Sequence, residues 1–193
     1  MLFRSVVLGL GSNTYYGHLS SVELLANACT QLADILEDMK ISSLYKSAPM
    51  YYLEQKEFFN MAVSGFYNKD AFSLLEEIHS IEAMWGRDRS KEIRNGPRPL
   101  DIDIELFGKE KISSPRLKVP HERLSERAFV LAPLLELLPQ NADVTVGSPD
   151  FYKKKLEAAV QDGQQIEKIM DSKEFCDLLN CVSDGNIENA YGG

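Results

Sequence analysis

Residues 87–106 read R-D-R-S-K-E-I-R-N-G-P-R-P-L-D-I-D-I-E-L, and they carry a structural period and a chemistry together. The first twelve hold five basic side chains (Arg87, Arg89, Lys91, Arg94, Arg98) against two acidic ones. Gly96 and Pro97 interrupt any helix there. From Asp101 the acids Asp101, Asp103 and Glu105 alternate with Ile102, Ile104 and Leu106. A period of two is that of a strand, so Asp101 and Asp103 project from one face and the isoleucines from the other. Two carboxylates one pleat apart can share a hard cation such as Mg²⁺. Arginine forks bind phosphate oxygens. A basic loop leading into paired carboxylates therefore suits a polyphosphate–metal complex. On composition alone, a solvated charged loop before a half-exposed strand fits equally well.

Outward from this stretch, the chain alternates strands and helices. Phe3–Leu10 reads as a buried strand ending in a Gly9-Leu10-Gly11-Ser12-Asn13 turn. A dinucleotide fingerprint would need its third glycine at Thr14, so it fails, and no Walker-type glycine loop occurs. Ser20-Ser21-Val22-Glu23 is a capping box. It opens a helix with Val22, Leu25, Ala26, Cys29, Leu32, Ala33 and Leu36 on one stripe. Ile41–Ser47 reads as a strand stopped by Pro49, then comes a loop with Tyr51, Tyr52 and Phe58, then a strand over Phe59–Tyr67. Asp70 can cap a helix reaching about Trp85, in which Glu82 is an acid on an otherwise apolar stripe. Glu82 is either an edge residue or a group that orders the arginine loop. After the 101–107 strand, Lys109–Ser114 reads as a short strand or hairpin arm. Val130–Leu138 reads as a core helix in which Pro133 marks a kink or a first turn. The β-α-β-β-α-β order predicts an α+β fold, a ferredoxin-like antiparallel sheet with helices packed on one face.

At 193 residues and 44% hydrophobic, the chain can bury one core and carry an appendage. Residues 141–193 hold ten acidic and five basic side chains and read as a helical C-terminal extension of a 1–140 domain. One helix runs from Ser148-Pro149 to Asp162 and is closed by Gly163; another is capped by Ser172, with Phe175, Leu178, Leu179 and Val182 as its apolar face. Asn180–Gly193 is polar and glycine-rich and is expected to fray. A net charge of −8 argues against nucleic acid as a general partner. Cys29, Cys176 and Cys181 lack zinc-ligand spacing, which points to reduced thiols. No apolar run is long enough for a signal segment or a bilayer span, so a soluble cytoplasmic protein without a membrane partner is expected, as monomer or homodimer.

The R-x-R of Arg87–Arg89, the G-P-R-P-L-D-I-D-I of 96–104, the V-P-H of 119–121 and Arg127-Ala128-Phe129 together resemble the signature of the 6-hydroxymethyl-7,8-dihydropterin pyrophosphokinase family. The resemblance covers roughly residues 3–140. It implies transfer of diphosphate from ATP to the pterin hydroxymethyl group, with release of AMP, in folate biosynthesis. It also implies that Asp101 and Asp103 hold Mg²⁺, two ions, and that Arg87, Arg89 and Arg98 act with them as the catalytic group. Arg87, Arg98, Ile104, Arg116, Lys118, His121 and Arg127 would bind ATP. Ser47, Ala48, Met50, Phe58, Asn60 and Phe129 would bind the pterin. Aromatic rings suit the faces of a flat heterocycle, and an Asn amide offers its edge a donor and an acceptor. The 87–98 loop would be a lid. The sequence departs from the family pattern at Asn95, where an aromatic often stands, and at Lys118 and Glu122, which replace a small hydroxyl residue and an aromatic one. Ser47 for Thr and Phe58 for Tyr keep the contact type. Two other classes remain. One is a nucleotide- or metal-sensing module that binds ATP without turnover. The other is an RNA-binding module, which would want basic and aromatic residues where Asp101 and Asp103 stand. A pyrophosphokinase for a different heterocycle is a milder variant.

Overall fold

The first strand is buried on both sides. Val6, Leu8 and Leu10 belong to one hydrophobic cluster and Val7 to another. The sheet therefore has helices on each face. The computed structural model describes residues 3–50, 53–91, 96–138 and 147–183. Its elements are β1 (Arg4–Ser12), α1 (Ser21–Ala33), β2 (Glu37–Ile41), β3 (Leu44–Ser47), β4 (Phe58–Tyr67), α2 (Ala71–Met84), β5 (Asp101–Phe107), β6 (Ile112–Ser113) and β7 (Lys118–Val119). A 3₁₀ turn at Leu124–Glu126 leads into α3 (Ala128–Leu137), α4 (Pro149–Gln161), β8 (Ile166–Met170) and α5 (Ser172–Ser183). The main sheet runs β5-β1-β4-β3-β8, with β2 also on β4. Every pairing in it is antiparallel. The fold is α+β.

Local chemistry sets the helix starts. The Ser20 N–H donates to Glu23 Oε2 at 2.7 Å and the Glu23 N–H to Ser20 Oγ at 3.4 Å, so the capping box forms. Asp70 Oδ1 accepts from the Phe72 and Ser73 N–H groups at 2.9 and 3.0 Å. Such caps contribute about 1 kcal/mol each. On one face α1, α2 and α5 cover Leu25, Cys29, Leu32, Leu74, Ile78, Ile102, Ile104 and Phe175. On the other, α3 and α4 cover Val7, Ala62, Leu106, Leu134 and Tyr152.

Several expectations are corrected. Helices pack on two faces because α3 is apolar nearly all round and itself needs burial. The segment read as one strand over 41–47 is two, β2 and β3. They are separated at Ser42, whose N–H donates to the Ala62 carbonyl and whose Oγ accepts the Ala62 N–H, each at 2.9 Å. β1 continues through Ser12, since it pairs with β4 on one side and β5 on the other. Ala33 is exposed because α1 ends there. The hairpin arm over 109–114 shrinks to Ile112–Ser113. α3 starts two residues earlier than expected and keeps Pro133 inside. The C-terminal segment holds, besides two helices, the strand β8, which extends the sheet at β3. Tyr51, Tyr52, Asn95 and residues 184–193 lie outside the described residues.

Candidate active site

β1 and β5 make the floor of the cleft. Asp101 lies opposite Gly11 and Asp103 opposite Gly9. The two glycines give clearance. A Cβ at Gly9 would meet Glu105 Oε1 at 3.0 Å, and one at Gly11 would meet Asn60 Oδ1 at 3.3 Å. The Gly-Leu-Gly that resembles a nucleotide loop thus serves packing within a strand. Above this floor is a cavity of about 230 Å³. Arg87, Arg89, Arg98, Asp101, Asp103, His121 and Arg127 line its charged end, and Ser47, Ala48, Met50, Phe58, Asn60 and Phe129 the other.

Carboxylates hold the arginines at the charged end. Arg87 Nη1 donates to both Glu82 Oε1 and Asp101 Oδ1. Arg98 Nη1 donates to Asp101 Oδ2 at 2.9 Å, and Arg89 Nη2 to Glu82 Oε2. Glu82 also accepts the Ile102 N–H at 2.8 Å, which ties α2 to β5. Asn13, from the turn after β1, pins the end of the loop. Its N–H donates to the Arg98 carbonyl at 3.2 Å and its Oδ1 accepts the Arg98 N–H at 2.9 Å.

The two aspartates differ in their surroundings. Burial pushes the Asp101 carboxyl up, but Arg87 and Arg98 outweigh it and hold it below the ordinary range. The Asp103 carboxylate takes no hydrogen bond from another described residue; burial, then the charge of Asp101, push it up to about 7. Burial and Asp103 push Glu105 well above its usual value. Among the described residues no three His, Cys, Asp or Glu side chains converge as a metal cage. Two neighbouring carboxylates, one of them lacking a hydrogen-bond donor, fit Mg²⁺, which keeps several waters and takes one or two protein carboxylates beside phosphate oxygens.

At the other end, Asn60 is buried and its Nδ2 donates to Ser47 Oγ at 2.9 Å, leaving Oδ1 toward Gly11. Phe58 and Phe129 are each half-buried on the cavity wall. The Arg127 guanidinium lies 5.5 Å from the Phe129 ring centre. A second cavity, about 300 Å³, is lined by Asp103, Ile104, Arg116, Lys118, His121 and Glu122. Ile104 reaches it from the core, where it is almost fully buried. Arg116 is paired with Glu76, and Lys118 with Glu122, all four on the surface. Glu122 therefore pairs within its own turn. His121 Nδ1 accepts the Arg123 N–H at 3.3 Å, which leaves Nε2 as the protonated nitrogen. Every expected site residue is among those described, and two adjoining cavities gather them all. Sequence reasoning left Asn13 and Glu105 without roles. Glu82 did carry a signal, as a carboxylate on an apolar stripe.

A cleft that is cationic and carboxylate-lined at one end and aromatic at the other, set on an antiparallel α+β sheet, has the chemistry to take a flat ring beside an anion. A sequence model of the 7,8-dihydro-6-hydroxymethylpterin-pyrophosphokinase family matches residues 7–139, and the chain belongs to that family. A Pseudomonas aeruginosa 2-amino-4-hydroxy-6-hydroxymethyldihydropteridine pyrophosphokinase is 43% identical over 138 residues, 72% of this chain and 83% of that one. Its Bacillus subtilis counterpart is 48% identical over 101 residues, 52% of this chain and 59% of the relative. A mitochondrial folate synthesis bifunctional protein of Arabidopsis thaliana is 40% identical over 148 residues, 72% of this chain, and the chain spans only 24% of its length. Among solved structures, a Plasmodium falciparum HPPK-DHPS superposes with a TM-score of 0.61 at 16% identity, covering 84% of this chain and 47% of that one. That likeness is one of fold. No helix among the described residues is long and apolar enough to cross a membrane.

Proposed function

We propose that the chain transfers diphosphate from Mg·ATP to 6-hydroxymethyl-7,8-dihydropterin, releasing AMP, as a step of folate biosynthesis. One observation carries the reading: in a chain of this family, a single cavity joins Arg87, Arg89, Arg98, Asp101 and Asp103 to Phe58, Asn60 and Phe129. In the reaction the pterin hydroxyl gives up its proton and its oxygen bonds to the β-phosphorus of ATP. The bridge to the α-phosphoryl group breaks, and AMP leaves. Such transfers depend on positioning and charge neutralisation more than on covalent chemistry.

Phe58 and Phe129 stack on the heterocycle, while Asn60, oriented by Ser47, reads its edge with the backbone of Ala48 and Met50. Arg87, Arg89 and Arg98 take phosphate oxygens when they leave Glu82 and Asp101. Arg116, Lys118, His121 and Arg127 bind the nucleotide, with Ile104 under its base. Asp101 and Asp103 would hold two Mg²⁺ ions, with water and phosphate oxygens completing the coordination. Bound Mg²⁺ offsets phosphate charge and lowers the pKa of the attacking hydroxyl. The strand order β5-β1-β4-β3 supports a ferredoxin-like scaffold for residues 1–140, with 141–193 as an extension. The 87–98 loop is proposed as a lid, and the protein as cytoplasmic.

The test is AMP release from Mg·ATP, with and without the pterin, for wild type and Asp103→Ala. Pterin-dependent AMP that collapses in the variant is expected. ATP binding without AMP at saturating pterin would overturn the reading in favour of a sensing module.

A further inference from the structure

We infer that Gln164, in the turn between α4 and β8, is a positioning residue for the aromatic end of the cleft. It lies outside the stretch matched to the family, 7–139. Its Nε2 donates to the Glu126 carbonyl and its Oε1 accepts the Ala128 N–H, each at 2.8 Å. One amide thus clamps the peptide groups on both sides of Arg127. Ala128 opens α3, and that helix start has no side-chain cap from Arg127. Gln164 supplies the cap from a distant segment, satisfying a donor that a helix terminus leaves open. The residues so fixed are Arg127 and Phe129, whose guanidinium and ring pair on the cavity wall.

The same short segment also holds the opposite wall. Ile166 is paired with Ser47 across β8 and β3, and Ser47 Oγ accepts from Asn60. The segment is itself tied down: the Gly163 N–H donates to the Val160 carbonyl at 3.0 Å and the Gln164 N–H to the Ala159 carbonyl at 3.1 Å. Gly163 sits at φ +92, which lets the chain leave α4 and turn back. Residues 164–166 therefore form a brace across the mouth of the heterocycle end, where Gln164 and Ile166 line a cavity with Ser47, Met50 and Phe129. Walls held at a fixed spacing need not be ordered when the ligand enters, which strengthens binding.

The kinetic readout rests on the proposed pyrophosphokinase activity, so the experiment has two arms. In the first, Gln164→Met keeps the length and removes both hydrogen bonds, and Gln164→Glu keeps the acceptor for the Ala128 N–H. Gln164→Met should raise the pterin KM about tenfold, as expected for loss of a pair of ordinary hydrogen bonds that preorganise a site. kcat should change much less, and Gln164→Glu, which keeps the Ala128 bond but loses the donor to the Glu126 carbonyl, should recover only part of the loss. In the second arm, amide hydrogen exchange at Ala128 in the ligand-free protein should speed up in Gln164→Met and not in Gln164→Glu. Unchanged KM values with a lowered thermal midpoint would mean a merely structural glutamine and would overturn the inference, as would unchanged exchange at Ala128. Should the wild type release no AMP, the proposed reaction fails, and the exchange arm alone decides the brace.

Discussion

Glu82→Gln tests whether the arginine end of the cleft is held from below. The Glu82 side chain is 1% exposed and receives three donors: Arg87 Nη1, Arg89 Nη2 and the Ile102 N–H. Only an ionised, acceptor-only carboxylate satisfies all three. Glutamine keeps the volume, removes the charge and turns an NH₂ toward a donor. Breaking a buried ion pair from one side costs about 3–5 kcal/mol. The arm to Arg89 adds at most about 1 kcal/mol, because that guanidinium is half exposed. Arg87 keeps Asp101 as a partner, which offsets part of the loss. A net destabilisation of about 3 kcal/mol, or roughly 6–12 °C in a chain of this size, is expected. Urea titration and scanning calorimetry measure it, with Asp88→Asn as control. Asp88 is a surface acid on the same loop, paired with Lys91, and its loss should leave the midpoint in place. A Glu82→Gln midpoint no lower than that of Asp88→Asn would refute the reasoning.

Asp103→Asn should abolish AMP formation and yet stabilise the metal-free protein at high pH. The folded carboxyl is pushed up to about 7, so its stabilising contribution is full below the unfolded Asp value and is lost as pH rises through about 7. The variant should therefore have a higher midpoint than wild type at pH 8 and little advantage at pH 4; a pH-independent difference would count against this. Phe175→Ala, at a fully buried position on α5, should cost about 3–5 kcal/mol in urea. A loss below about 1 kcal/mol would show α5 to be a surface attachment. Gly86 ends α2 at φ +85, and a Cβ there would fall inside the Tyr16 ring. Gly86→Ala should cost about 2–4 kcal/mol and loosen the arginine loop; a wild-type melting curve would sink that account.

The strand bearing Asp101 and Asp103 was legible because its alternation is local and strong. The same alternation misled at Leu106, which packs with Val7 under α3 and not with Ile102 and Ile104 on the other face. The register with β1 shifts so that Val7 faces Leu106 and Leu8 faces Ile104, and Glu105 becomes the extra residue of a bulge. Nothing within 101–107 announces a shift whose cause is the pairing with β1. β2 and β8, E-D-M-K-I and I-E-K-I-M, are too polar to read as strands, and their partners β4 and β3 complete them. The composition of the charged end was plain, but not that Arg87 and Arg98 converge on one carboxylate. Glu82 was half-legible, as a misplaced acid. Gln164 was silent, since a glutamine in a turn says nothing about a helix start 36 residues earlier.

The ion pairs at the charged end have a consequence for how the cleft sorts its visitors. Asp101 occupies Arg87 and Arg98 much as a phosphate would, and the two guanidinium groups occupy Asp101 much as a cation would. In the proposed reaction, a bare nucleotide that captured the arginines would strand Asp101, and a bare cation that captured Asp101 would take that partner from Arg98 and leave Arg87 with Glu82 alone. Arriving together they would exchange partners and leave Asp101, Arg87 and Arg98 all matched. Under that proposal the resting site would work as an AND gate, each half of the internal pairing a decoy best displaced by metal and nucleotide together.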